Sequence, residues 1–182
     1  WKPYQERLPH VAQVRWWFRE CAPANGGEHA LAIITGPVSG NLEVLDFDLP
    51  DLYAPWCDCI PPETLDCLTV VQTPSGGYHV YYRSPAVAGN QKLAVDPDKP
   101  DGKYTLIETR GAGGYVLAPP SEGYCLIQGD LTAIPVLSIP ERDHLLSAAR
   151  SFSRAAAKAP FPRHKPVRKA PDGILRPGDD YN

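Results

Sequence analysis

The amino-acid sequence predicts an α+β (α/β) fold with many short strands and few helices, on three observations. Residues 30–35 and 42–47 are largely apolar runs of strand length, and in the second Val44, Leu45 and Phe47 are the branched and aromatic residues that suit a pleated surface. Val11, Val14, Trp17, Phe18 and Cys21 recur every three or four positions behind Pro9, so a helix of about three turns is expected to pack this face on the core. A strand, a stretch with helical turns and a second strand succeed one another across residues 42–73, the order of a β–α–β crossover.

Composition bounds the classes. At 182 residues, with 43% hydrophobic and 21% charged, the chain can bury a core without metals or disulfides. One domain over residues 1–150 is expected, followed at 151–182 by a basic, Pro/Ala-rich linker. No apolar run approaches a membrane span and the opening Trp1-Lys2-Pro3-Tyr4 is unlike a signal peptide, so a cytoplasmic protein without a membrane partner is expected. Residues 1–149 carry ten Lys/Arg against eighteen Asp/Glu, and residues 150–182 eight against three. An acidic core argues against general attraction to nucleic acid and leaves room for a local basic groove. The five cysteines, Cys21, Cys57, Cys59, Cys67 and Cys125, are an odd number, unlike a secreted disulfide framework. Cys57-x-Cys59 with Cys67 lacks the spacing and fourth ligand of a zinc finger, so no structural zinc is expected and the thiols are read as free.

Residues 1–8 read as an extended lead-in, and Ala22-Pro23-Ala24-Asn25-Gly26-Gly27 ends the first helix. Gly36-Pro37-Val38-Ser39-Gly40-Asn41 reads as a tight turn joining the first two strands into a β-hairpin. The second strand ends Asp46-Phe47-Asp48. Strand side chains alternate, so Asp46 and Asp48 share a face, where two carboxylates could share a hard divalent cation such as magnesium or manganese. Asp-x-Asp-Leu-Pro equally suits a plain strand end and turn.

Residues 68–73 and 78–83 read as strands joined by Pro74-Ser75-Gly76-Gly77, with His79 near the start of the second. Glycines let backbone N–H groups approach an anion, and a serine hydroxyl and an imidazole add donors, so this turn could hold a triphosphate. The plainer alternative is an ordinary hairpin turn and a satisfied histidine. Residues 84–103 are expected to be mainly loop. A strand at 104–110 puts Glu108 and Arg110 on one face, where a structural salt bridge is the modest alternative. The glycines at 111–114 are expected to turn it so that 115–118 return as a strand. Residues 124–127 and 134–137 read as short closing strands, and 140–150 as a last helix opened by proline and acids. Arg150, Arg154, Lys158, Arg163, Lys165, Arg168 and Lys169 could contact nucleic-acid phosphate or mark a solvated hinge.

Taken in order, the acid pair, Ser75-Gly76-Gly77-x-His79 and the later strand acid Glu108 resemble the primase-polymerase (Prim-Pol) branch of the archaeo-eukaryotic primase superfamily. The likeness spans about residues 1–150 and includes the Thr-Gly-x-x-Ser-Gly turn before the acid pair and the Pro-Pro-Ser after the third motif. It implies a catalytic sheet like an RNA-recognition motif packed with a second small α/β unit, the site lying in the cleft between them. It also implies a template-dependent nucleotidyltransferase, a DNA primase/polymerase of replication, with DNA template and primer and dNTP or NTP as partners. Asp46, Asp48 and Glu108 would then hold two divalent ions, Mg2+ or Mn2+, with His79 completing the catalytic set. Ser75, Gly76, Gly77, His79 and Arg110 would bind the nucleotide phosphates, and Tyr115 would contact its sugar; a plain core tyrosine is the other reading. No cysteine–histidine set replaces the zinc stem that some relatives insert, so the primer or template grip assigned to that stem does not carry over. The ending from Arg176 to Asn182 resembles the start of a further module, as in phage and plasmid primase-helicases, where a fused helical and helicase region would follow. Two rival classes remain, a metal-dependent nuclease or phosphohydrolase and a non-catalytic nucleic-acid-binding module.

Overall fold

The structure, a computed structural model, describes residues 1–19, 30–98 and 105–154. Its helices are α1 (Val11–Arg19), α2 (Tyr53–Cys57), α3 (Pro62–Cys67) and α4 (Ile139–Arg150). Its strands are β1 (Leu31–Ile34), β2 (Leu42–Phe47), β3 (Thr69–Gln72), β4 (Tyr78–Arg83), β5 (Gln91–Val95), β6 (Thr105–Arg110), β7 (Tyr115–Ala118) and β8 (Cys125–Gln128). The class is α+β, as the sequence predicts.

Six strands form an antiparallel sheet in the order β5-β6-β2-β4-β3-β8, and β1 pairs with β7 in a separate two-stranded sheet. The expected crossover is present: β2 and β3 both run antiparallel to β4, which lies between them, so they are parallel to each other and joined through α2 and α3. Every residue of β2 is buried, which means both faces of its sheet are covered there. On one face Leu45, Phe47 and Val80 pack with Trp56, Leu145 and Leu146 of the helices. On the other, Leu42, Val44, Val71 and Tyr81 pack with Val116 of β7. The small sheet thus sits over the large one, opposite the helices.

Several expectations change. β1 and β2 do not form a hairpin; a single bridge, Gly36 to Leu42, joins them, and β1 pairs along its length with β7. Both edges of β2 are taken by β4 and β6, so β1 has nowhere to pair. The chain between them makes a short 3-10 turn at Pro37–Ser39, with Gly36 at φ 93° and Gly40 at φ 70°, and Arg83 donates to the carbonyls of Ser39 and Gly40. The strand at 115–118 likewise leaves β6, whose edges are filled by β2 and β5. β5 itself falls inside the stretch expected to be loop. Residues 134–137 form one bridge, with Arg83 and Leu137 N–H groups donating to Pro135 and Arg83 carbonyls, and no strand, because proline supplies no donor to extend a ladder. The lead-in is a 3-10 turn at Lys2–Gln5 whose Trp1 and Tyr4 rings rest on Tyr115 and Trp17. No residue of α1 is buried; Val14, Trp17 and Phe18 line an open groove of about 810 Å³ against β1 instead of packing into the core. Cys21 lies outside the described residues, as does most of the linker. Of the basic set, Arg150 bonds Gln91 and Arg154 bonds Asp96, tying the end of the domain to β5.

A buried ion pair that the sequence analysis passed over joins the sheet to α4. Glu43 is wholly buried, and its carboxylate accepts from Arg142 at 2.5 and 2.9 Å and from Tyr82 at 2.9 Å. α4 is oriented for this by a capping box between Ser138 and Glu141. Replacing Arg142 by Leu leaves the Glu43 charge buried with the tyrosine alone, so Arg142→Leu is expected to cost about 3–5 kcal/mol in chemical denaturation, with part recovered by adding Glu43→Gln.

Candidate functional site

β2 carries Asp46 between two partners fixed by strand register. Asp46 lies opposite His79 of β4 on one side and opposite Glu108 of β6 on the other. Directly opposed residues on neighbouring strands face the same way, so the three polar groups form a row across the middle of the sheet. Asp46 and His79 line a cleft of about 410 Å³ on the β7 side of the sheet, together with Asn90, Arg110, Tyr115 and Tyr124; Glu108 lies beside that lining and is joined to it through Arg110.

Within the row His79 Nε2 lies 3.4 Å from Asp46 Oδ1. The Arg110 guanidinium sits between the acids, 3.3 Å from Asp46 Oδ2 and 2.5 Å from Glu108 Oε1. Burial pushes the Asp46 carboxyl up, but its hydrogen bond to His79 and the nearby His79 and Arg110 outweigh that and hold it below its ordinary value. Glu108 goes the other way. Burial raises it, Arg110 pulls it back, and repulsion from Asp46 and Asp48 adds to the rise, leaving it above its ordinary value.

Asp48 lies just past the end of β2 and is exposed; its N–H donates to the Leu106 carbonyl at 3.1 Å, which continues the β2–β6 ladder and keeps its carboxylate near Glu108. The Thr73–Gly77 turn closes the β3–β4 hairpin through bonds from Gly76 N to Thr73 O and from Thr73 N to Gly77 O. Gly76 takes φ 86°, and a Cβ on Gly77 would meet the Phe47 carbonyl oxygen at 2.2 Å, so only glycine lets the turn press against the end of β2. Ser75 is exposed at the tip, 3.0 Å from Thr73 Oγ1, and lies outside the residues that line the cleft. Tyr115 does line it, half exposed at 44%, with its ring 4.9 Å from that of Trp1.

Three groups around the site, Tyr81 buried beneath it and Tyr124 and Asn90 in the cleft lining, have no place in the sequence-based reading. The Tyr81 hydroxyl lies 3.4 Å from His79 Nδ1, so the imidazole is held at both nitrogens. The strand period, two residues from His79, would have found it. Tyr124 tilts against His79 at 5.9 Å, and Asn90 accepts from the Gly111 N–H; these arrive from distant segments and carry no local signal.

Among the described residues no three His, Cys, Asp or Glu side chains close into a ready metal cage, since Arg110 lies between the two acids. The donor set nevertheless fits a hard cation: oxygens alone, and a repulsion among Asp46, Asp48 and Glu108 that a divalent ion would relieve. Among those residues no helix is long and apolar enough to cross a membrane.

The Prim-Pol profile, that of the N-terminal bifunctional DNA primase/polymerase domain, matches residues 1–142, and the chain belongs to this family. A comparison with curated proteins finds no match. The family is one of DNA primase/polymerase-type nucleotidyltransferases, with DNA and nucleotides as substrates.

Because its folded value is raised, ionised Glu108 costs stability at pH above that value, and the cost disappears as pH falls below the ordinary carboxylate range. Without divalent ions, Glu108→Gln is therefore expected to gain in Tm relative to the parent as pH rises from about 4 to 7, read by thermal melts across that range.

Proposed function

We propose that this domain extends a DNA strand on a template by nucleotidyl transfer, in DNA replication. The observation that carries the reading is the placement of Asp46 and Glu108 on adjacent central strands, with the glycine turn and His79 on the far side of Asp46 from Glu108. Asp46, Asp48 and Glu108 would hold two divalent ions, Mg2+ or Mn2+, which when bound lower the pKa of the attacking hydroxyl and neutralise charge on the triphosphate. The Gly77 backbone N–H, the Ser75 hydroxyl and the His79 imidazole, once Asp46 turns to a metal ion, would supply donors to the triphosphate, with Gly76 shaping the turn while its own N–H closes it on Thr73; Arg110, released from the acids, would add a cation for the same charge. The 3′-hydroxyl oxygen bonds to the α-phosphorus as the bond to the bridging oxygen breaks; the electron pair leaves with pyrophosphate and the proton passes to water.

The reading predicts that Asp46→Ala and Asp48→Ala lower kcat for primer extension by more than about a thousandfold, beyond the loss of one preorganised donor, while primer–template binding persists. Degradation of labelled DNA without incorporation would instead point to a nuclease. Tyr115 stands at the cleft mouth, where a ring packed under C2′ leaves no room for a 2′-hydroxyl. Tyr115→Ala is expected to raise NTP over dNTP incorporation by about tenfold, measured as the ratio of kcat/KM values.

A further inference from the structure

The transverse row does not end at Glu108. In β5, Lys92 lies opposite Glu108, so four adjacent strands present His79, Asp46, Glu108 and Lys92 in register. Beyond His79 the row continues into Val71 of β3 and Leu126 of β8, both apolar. Lys92 is exposed, and among the described residues it forms no ion pair, although its charge acts on Glu108. Asn90, at the start of the same edge, lines the cleft, so the cleft reaches toward β5.

In-line displacement gives this order a direction. The attacking oxygen and the leaving pyrophosphate must lie on opposite sides of the α-phosphorus. The glycine turn joins β3 to β4, on the opposite side of β2 from β6 and β5. With pyrophosphate over that turn and the α-phosphorus over the β2 acids, the 3′-oxygen approaches over Glu108. The phosphodiester behind it then falls about one strand spacing, roughly 4.8 Å, further out, over β5. A strand of phosphates passing beside three carboxylates needs a cation at that point, and Lys92 is placed there.

We infer that the β5 edge is the primer side of the site and that Lys92 binds the 3′-terminal phosphodiester of the strand being extended. This rests on the polymerase reading above and adds the path of the primer to it.

The test uses the full chain with Lys92→Gln and Lys92→Glu; the neutral exposed change should leave Tm nearly unaltered, and Lys92→Glu, which sets a carboxylate opposite Glu108, should lower it modestly without unfolding the domain. In steady-state extension Lys92→Glu is expected to raise KM for primer–template about tenfold, most at low salt, with KM for dNTP unchanged. A rise in KM for dNTP, or no change in either, overturns the inference. Anisotropy of a recessed primer–template without nucleotide tests the surface even if no extension occurs: Lys92→Glu should weaken binding by a similar factor, and unchanged affinity overturns it. A primer whose terminal phosphodiester is a neutral methylphosphonate should abolish the difference between the parent and Lys92→Gln; a difference that persists places Lys92 elsewhere. Failure of the parent chain to incorporate any nucleotide, by contrast, overturns the polymerase reading, while the anisotropy difference at Lys92 still stands or falls by itself.

Discussion

A carboxylate in the central strand of a sheet, 8% exposed, has to be compensated by whatever the neighbouring strands place beside it, and the design of the site follows from that constraint on Asp46. Register supplies His79 from β4 and Glu108 from β6, and the strand period brings Arg110 back to the same face two residues later. Because β2 is bonded along both edges, none of these groups can shift by one residue without turning the whole strand over. The site is therefore as rigid as the sheet, which suits chemistry that depends on positioning more than on covalent participation.

The same rigidity stores a mismatch. Asp46 is held ionised by His79 and Arg110, while Glu108, raised first by burial and then by two like charges, resists ionising. Arg110 spans the two acids and moderates the conflict. In the proposed reaction Asp46, Asp48 and Glu108 would hold divalent ions that supply that neutralisation, which would leave the guanidinium to the triphosphate. The core contains a parallel case solved without metal: Glu43, three residues before Asp46 and on the helix side, is matched by Arg142 and Tyr82. One strand thus carries a carboxylate on each face, one closed for stability and the other facing a cleft.

The second sheet completes the cleft. Leu31 N–H donates to the buried Ser121 hydroxyl at 2.7 Å, and Thr35 Oγ1 donates to Gly111 O at 2.6 Å, so the turn after β6 is tied to β1 and β7 leaves the large sheet at a defined angle. That places Tyr115 across from His79 and Asp46 in one cavity. The function of the small unit is geometric: it roofs the acids and brings an aromatic side chain to their mouth.

Local patterns were enough to identify most strands, the period-two placement of Asp46 with Asp48 and of Glu108 with Arg110, the glycine turn before His79 and the final helix, because alternation and turn chemistry are written in neighbouring residues. The family followed from the order of those motifs. Pairing was another matter: the hairpins expected from β1 to β2 and from β6 to β7 fail because competing strands fill those edges, and β5 was missed because its short run lies among prolines and glycines. Tyr124, Asn90 and Arg142 reach their partners, and Lys92 its place opposite Glu108, only through pairing and contacts between distant segments. The sequence by itself determined which chemical groups stand on each strand; the tertiary structure decided which strands are neighbours, and hence which groups meet, since edge competition and layer packing are settled by the whole chain at once.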